Sequence, residues 1–133
     1  MKKLIAITTM ACAVLACSVF AGEYPDISVS ELEEAMAKKE VIILDVNGSS
    51  SYAKGHIPGA IDFRGNKANI AELLGDDKDK LVVAYCGGPS CSAYKAGASA
   101  AEKAGFANIK HLSIGISGWL QAGKPTEKAS PQS

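Results

Sequence analysis

The amino-acid sequence predicts an α/β fold, a mainly parallel central sheet with helices on both faces. Three observations carry this. Short aliphatic, β-branched runs occur at 41–46 (VIILDV) and 81–85 (LVVAY), the mark of strands buried on both faces. Segments with helical spacing lie between the apolar runs. Turn residues sit at the changeovers, so strand and helix alternate along the chain.

The elements follow in order. Residues 28–40 (SVSELEEAMAKKE) predict a helix, with Ser30 and Glu33 as a capping box and Leu32, Ala35 and Met36 at helical spacing. VIILDV is the first strand. Residues 47–56 (NGSSSYAKGH) read as a turn and a short helix, and 59–63 (GAIDF) as a second strand. Residues 66–77 (NKANIAELLGDD) read as a helix closed by Gly75, and LVVAY as the next strand. A helix rich in small residues, 92–106 (SAYKAGASAAEKAGF), ends near Gly105. Residues 108–113 (NIKHLS) form a last strand, and 117–123 (SGWLQAG) a last helical turn or two. Asp45 and Cys86 end two strands, so both are expected on the rim where α/β folds bind ligands.

Residues 1–21 read as a signal peptide: a basic MKK start, an uncharged apolar run of 18 residues, and small residues at Val19 and Ala21. A membrane anchor is the plain alternative. AVLAC, 13–17, also resembles a lipobox ending at Cys17, so contact with a membrane is expected only if Cys17 is lipidated. The expected location is the periplasm. A domain over 22–125 and a polar, disordered tail over 126–133 complete the organisation. Without Lys2 and Lys3 the chain has 12 basic and 14 acidic residues, net −2, and Arg64 is the only arginine. That excludes the clustered basic face of a nucleic-acid binder.

Removing the leader takes Cys12 and Cys17 with it and leaves Cys86 and Cys91. In an oxidising compartment the plain reading of such a pair is a disulfide. Closing so short a loop stabilises little. The surroundings, YCGGPSCS at 85–92, suggest chemistry instead. A thiol reacts as its thiolate, and an ordinary cysteine titrates near pH ~8.5. Lowering that value by about two units takes roughly 2.7 kcal/mol of preference for the anion. A helix N-terminus contributes about 0.3–1 kcal/mol, and about 2 at best. Converging backbone amides are needed as well. Gly87 and Gly88 can take positive φ and bring bare N–H groups close to a ligand. Pro89 stiffens the turn and Ser92 is placed to cap the next helix. Cys91 is expected at the start of that helix.

Three motifs in order resemble the rhodanese-like sulfurtransferases over roughly residues 24–125. ILDVNGSSSYAKGHIPGAIDF is similar to the family's Asp-Val-Arg…Gly-His-Ile-Pro-Gly-Ala segment. VVAYCGGPSCSA is similar to its active-site strand and loop, and GFANIKHLSIGISGWLQAGKP to its Gly-Gly-Ile…Trp…Gly-x-Pro ending. The resemblance implies that Cys86 carries a persulfide, cradled by Gly87, Gly88, Pro89, Ser90, Cys91 and Ser92. It implies a small sulfur-containing donor, a thiol or cyanide-like acceptor, no cofactor and no metal. Asn47 stands where the family often has Arg, Cys91 where it often has Arg, Lys or Thr, and Ile114 at the first glycine of Gly-Gly-Ile. With no basic residue in the loop, polysulfide or persulfide donors are expected over thiosulfate, and Lys95 compensates weakly. Related phosphatases would need arginine at position 92, which is Ser92.

His56 and Asp45 are read as structural supports, His56 bracing a turn and Asp45 accepting backbone amides. His111 has no carboxylate or cysteine beside it, and Trp119 is expected in the core. Two alternatives stay open. One is a thiol–disulfide redox protein in which Cys91 resolves an oxidised Cys86. The other is a non-catalytic binding module of the same fold.

Overall fold

The computed structural model describes residues 24–129. The leader and the lipobox at Cys17 lie outside the described residues, as do the last four positions. Five α-helices and four strands alternate: α1 Val29–Ala37, β1 Val41–Asp45, α2 Ser49–Lys54, β2 Ile61–Asp62, α3 Ile70–Leu74, β3 Leu81–Tyr85, α4 Tyr94–Lys103, β4 Ile109–His111 and α5 Gly115–Gln121. The strands form one sheet in the order β2-β1-β3-β4, and every pairing is parallel. The two β-branched runs, β1 and β3, are therefore the central pair.

Alternation along the strands divides the core in two. Leu44, Val46, Val82 and Ala84 face one side with Ile70 and Leu74 of α3 and Ala98 and Ala101 of α4. Ile43, Val83 and Tyr85 face the other with Leu32 of α1, Ile57 and Trp119 of α5. Helices thus cover both faces. The small residues of α4 let it lie close to the sheet: a Cβ on Gly97 would come within 2.9 Å of Val46 Cγ2.

Local starts and stops differ from the sequence expectation in four places. The helix cap is Ser28, not Ser30. Its hydroxyl accepts the Glu31 N–H at 3.1 Å and donates to Glu31 Oε1 at 3.0 Å. The chain is held beside β4 up to Ile27, whose N–H bonds His111 O at 3.0 Å, so the earlier Ser-x-x-Glu frame is used. The helix expected over 66–77 is split: a 3₁₀ stretch, Arg64–Asn69, precedes α3. Asp62 enforces the tight start, accepting the Gly65 N–H through Oδ1 and the Asn66 side-chain amide through its carbonyl. Gly75 does close α3, at φ 80°. Ser92 does not cap α4. The cap position is Ala93, with no side-chain bond, and Ser92 offers only its carbonyl, to Lys95 N–H at 3.2 Å. Finally, the start of the expected tail is paired. Glu127 and His56 exchange two backbone hydrogen bonds of 2.9 Å.

Candidate active site

β1 and β3 run in register, with Asp45 beside Tyr85, so their carboxyl ends share one rim. The chain leaves β1 toward β2 and leaves β3 toward β4, on opposite sides. Such a divergence opens a crevice at the rim, the usual ligand site of a parallel sheet. Cys86 is the first residue past β3. It is 2% exposed and is joined to Cys91 in a disulfide with Cα atoms 6.2 Å apart.

The loop doubles back on itself to allow this. Gly88 O accepts the Cys91 N–H at 3.0 Å, a β-turn with Pro89 at the position its fixed φ favours. This turn, not a helix start, brings Cys91 to Cys86, and α4 begins only at Tyr94.

The positive φ expected at Gly87 and Gly88 falls instead at Gly115, φ 60°. A Cβ there would lie 2.5 Å from Cys86 O and 2.6 Å from both Gly87 C and Gly88 N. The close approach lets Ile116 N–H bond Cys86 O at 2.9 Å and Ser117 N–H bond Gly87 O at 3.0 Å. The first turn of α5 therefore grips the loop by its carbonyls. The amides of Gly87, Gly88 and Ser90 donate to no group among the described residues, and remain free for an anion.

Asp45 is fully buried. It accepts the Asn47 N–H at 2.8 Å and the Tyr85 hydroxyl proton at 2.5 Å, and the Tyr85 oxygen in turn accepts the Ile57 N–H at 3.0 Å. Burial raises the Asp45 carboxyl above its ordinary value, while the Tyr85 and Asn47 bonds pull it down. Burial, with the Asp45 carboxylate beside it, pushes the Tyr85 phenol far up. His56 is buried as well. Its Nδ1 lies 2.8 Å from Tyr52 O and its ring stacks on Tyr52 at 3.7 Å. Neither side chain contacts the Cys86 loop through a hydrogen bond. His111 stacks on Tyr94 at 3.4 Å, and burial lowers its pKa. Trp119 is in the core, its indole N–H bonded to Pro125 O at 2.7 Å.

Beside the loop an open cleft of about 440 Å³ is lined by Asn47, Lys54, Gly87, Ser117, Leu120 and Thr126, among others. Lys54 is the one charged side chain in its wall. Lys95 is exposed on α4. Arg64, distant in sequence, reaches the turn after β1, where its Nε donates to Val46 O at 3.3 Å. Sequence reasoning missed Tyr85, Lys54, Ser117 and Gly115. For Gly115 a signal existed, since it is the second glycine of the Gly-Gly-Ile motif.

Comparison with known proteins agrees with this fold. The family described as Rhodanese-like domain matches residues 28–122. The thiosulfate sulfurtransferase GlpE of Shewanella oneidensis is 32% identical over 104 residues, 76% of this chain and 97% of that protein. An HTH-type transcriptional regulator of Mycobacterium tuberculosis is 34% identical over 121 residues, 90% of this chain and 52% of the regulator. A tRNA uridine(34) hydroxylase of Photorhabdus laumondii is matched over only 27% of its length, so the chain spans about half of the regulator and about a quarter of the hydroxylase. A thiosulfate sulfurtransferase structure from Pseudomonas aeruginosa superposes with TM-score 0.70 at 26% identity, covering 84% of this chain and 21% of that one.

Proposed function

Since the chain belongs to the rhodanese-like domain family, we propose that it is a sulfurtransferase in which reduced Cys86 carries the transferred sulfur. The Cys86 thiolate attacks the outer sulfur of a small donor. The donor's inner group leaves with the bonding electron pair, and Cys86 holds a persulfide. A thiolate or cyanide-like acceptor then attacks the outer persulfide sulfur and Cys86 leaves as thiolate. One observation carries the reading: the Cys86 and Gly87 carbonyls are bonded to α5, while the amides of Gly87, Gly88 and Ser90, in the loop that follows Cys86, have no acceptor among the described residues. Such amides stabilise the anionic sulfur at both stages.

The loop itself has no basic side chain, so a donor with spread charge, such as polysulfide, suits it better than the compact thiosulfate dianion. Residues 1–21 direct the chain to the periplasm in this reading. The test is Cys86→Ser, which removes the nucleophile but keeps the shape of the site. It abolishes transfer to cyanide from both polysulfide and thiosulfate. Retained activity would refute the assignment. Run on the wild type, the same assay gives the higher kcat/KM with polysulfide. Equal efficiencies contradict the donor class.

A further inference from the structure

We propose that the chain also reduces the sulfur it carries, releasing it as hydrosulfide through attack by Cys91. This rests on the reading of Cys86 as a persulfide carrier. The Gly88–Cys91 turn brings the Cys91 sulfur within bonding reach of the Cys86 sulfur. In a loaded protein that atom is the inner sulfur of the persulfide. Attack there forms the Cys86–Cys91 bond and breaks the bond to the outer sulfur, which departs with the electron pair as hydrosulfide. The balance is complete: two thiol groups are oxidised to one disulfide, and one sulfane sulfur is reduced to sulfide. No outside oxidant enters.

Exposure decides how the cycle closes. Cys86 is 2% exposed, whereas Cys91 is partly open to solvent. An external dithiol therefore attacks Cys91, and Cys86 is the leaving thiolate. Departure of the sulfur that the loop amides stabilise favours this direction, because a better leaving thiolate speeds exchange. The dithiol carries the electrons, and without it each molecule acts once. The loop then serves two outcomes. A quick acceptor takes the sulfur intact, and in its absence Cys91 discharges it as sulfide.

A single turnover tests this. The reduced chain is freed of reductant, treated with stoichiometric inorganic polysulfide and desalted, and both free sulfide and intact mass are followed. The wild type releases one sulfide for each sulfur taken up and ends two hydrogens lighter than its reduced form. Cys91→Ser and Cys91→Ala keep the mass of the added sulfur and release none above a buffer control. The inference is overturned if the wild type keeps its persulfide, or if the variants release sulfide at the wild-type rate. Uptake is read on the Cys91 variants and the wild type together. If none of them gains sulfur and no disulfide forms, the sulfurtransferase reading itself falls.

Discussion

Two neighbouring parts of the sheet's rim are built in opposite ways. At the Asp45–Tyr85–Ile57 knot, side chains do the binding: a carboxylate, a phenol and a backbone amide form a closed, buried chain of hydrogen bonds. At the Cys86 loop, one residue further on, the bonds are made by backbone alone. The carbonyls of Cys86 and Gly87 are held by α5, and Gly88 closes on Cys91. The residues with the most familiar catalytic chemistry, Asp45 and His56, thus belong to the frame. Apart from the Cys86–Cys91 bond the loop spends no side chain on its own support, so once that bond is reduced its sulfur atoms and free amides are left for reaction.

The comparison breaks most readily at Gly115. Gly115→Ala forces a Cβ against Cys86 O and strains a positive φ, so the loop must shift. Misplacement of about an ångström costs on the order of 10²-fold in rate. Transfer kcat/KM falls by at least that much, while circular dichroism shows the fold retained. A normal rate would mean that α5 does not set the loop.

Tyr85→Phe probes the frame. It leaves the buried Asp45 carboxylate and the Ile57 amide each short of a partner, at about 1–3 kcal/mol apiece. Urea unfolding registers the loss, whereas the folded fraction still transfers sulfur. Loss of transfer without loss of stability would erase the distinction between frame and loop.

A smaller effect follows from Asp45. Its carboxyl is held above the ordinary 3.8, chiefly by burial. Between that value and its raised folded one, the native chain keeps a proton that the unfolded chain releases. Stability from this group is therefore present at low pH and is lost as pH rises through the window. Unfolding curves of wild type and Asp45→Asn, taken across acidic pH, converge or cross in that sense, with the wild type losing ground as pH rises. An opposite slope would show that the hydrogen bonds outweigh burial.

The smallest change is expected at Glu127→Gln. Glu127 lies 3.8 Å from His56 but is mostly exposed. Pairs of this kind contribute about 0–1 kcal/mol. Thermal unfolding barely moves and transfer kinetics stay as they were.

What could be read from sequence follows from how local each signal is. β1 and β3 were legible because a doubly buried strand is apolar along nearly its whole length, Asp45 at the end of β1 being the exception, and Gly75 and Gly105 stop helices by a property of one residue. The place of Cys86 on the rim was legible because it directly follows such a strand. The loop's support was not. Gly115 meets Cys86 across 29 positions of chain, and Ile57 meets Tyr85 across 28, and no periodicity records such meetings. Ser92 misled for a related reason: its residue type suits a cap, but the Gly88–Cys91 turn sets where α4 begins.

Trp119 is the chain's single tryptophan, and it lies on the same short helix whose first turn grips the Cys86 loop. Its indole sits in the core, tied to Pro125. An adjustment of α5 to the proposed persulfide, or to the making and breaking of the Cys86–Cys91 bond, would reach this single tryptophan across one turn of helix. For the proposed cycle this makes Trp119 the natural label-free reporter, and stopped-flow emission at tryptophan wavelengths is the measurement that would time its steps.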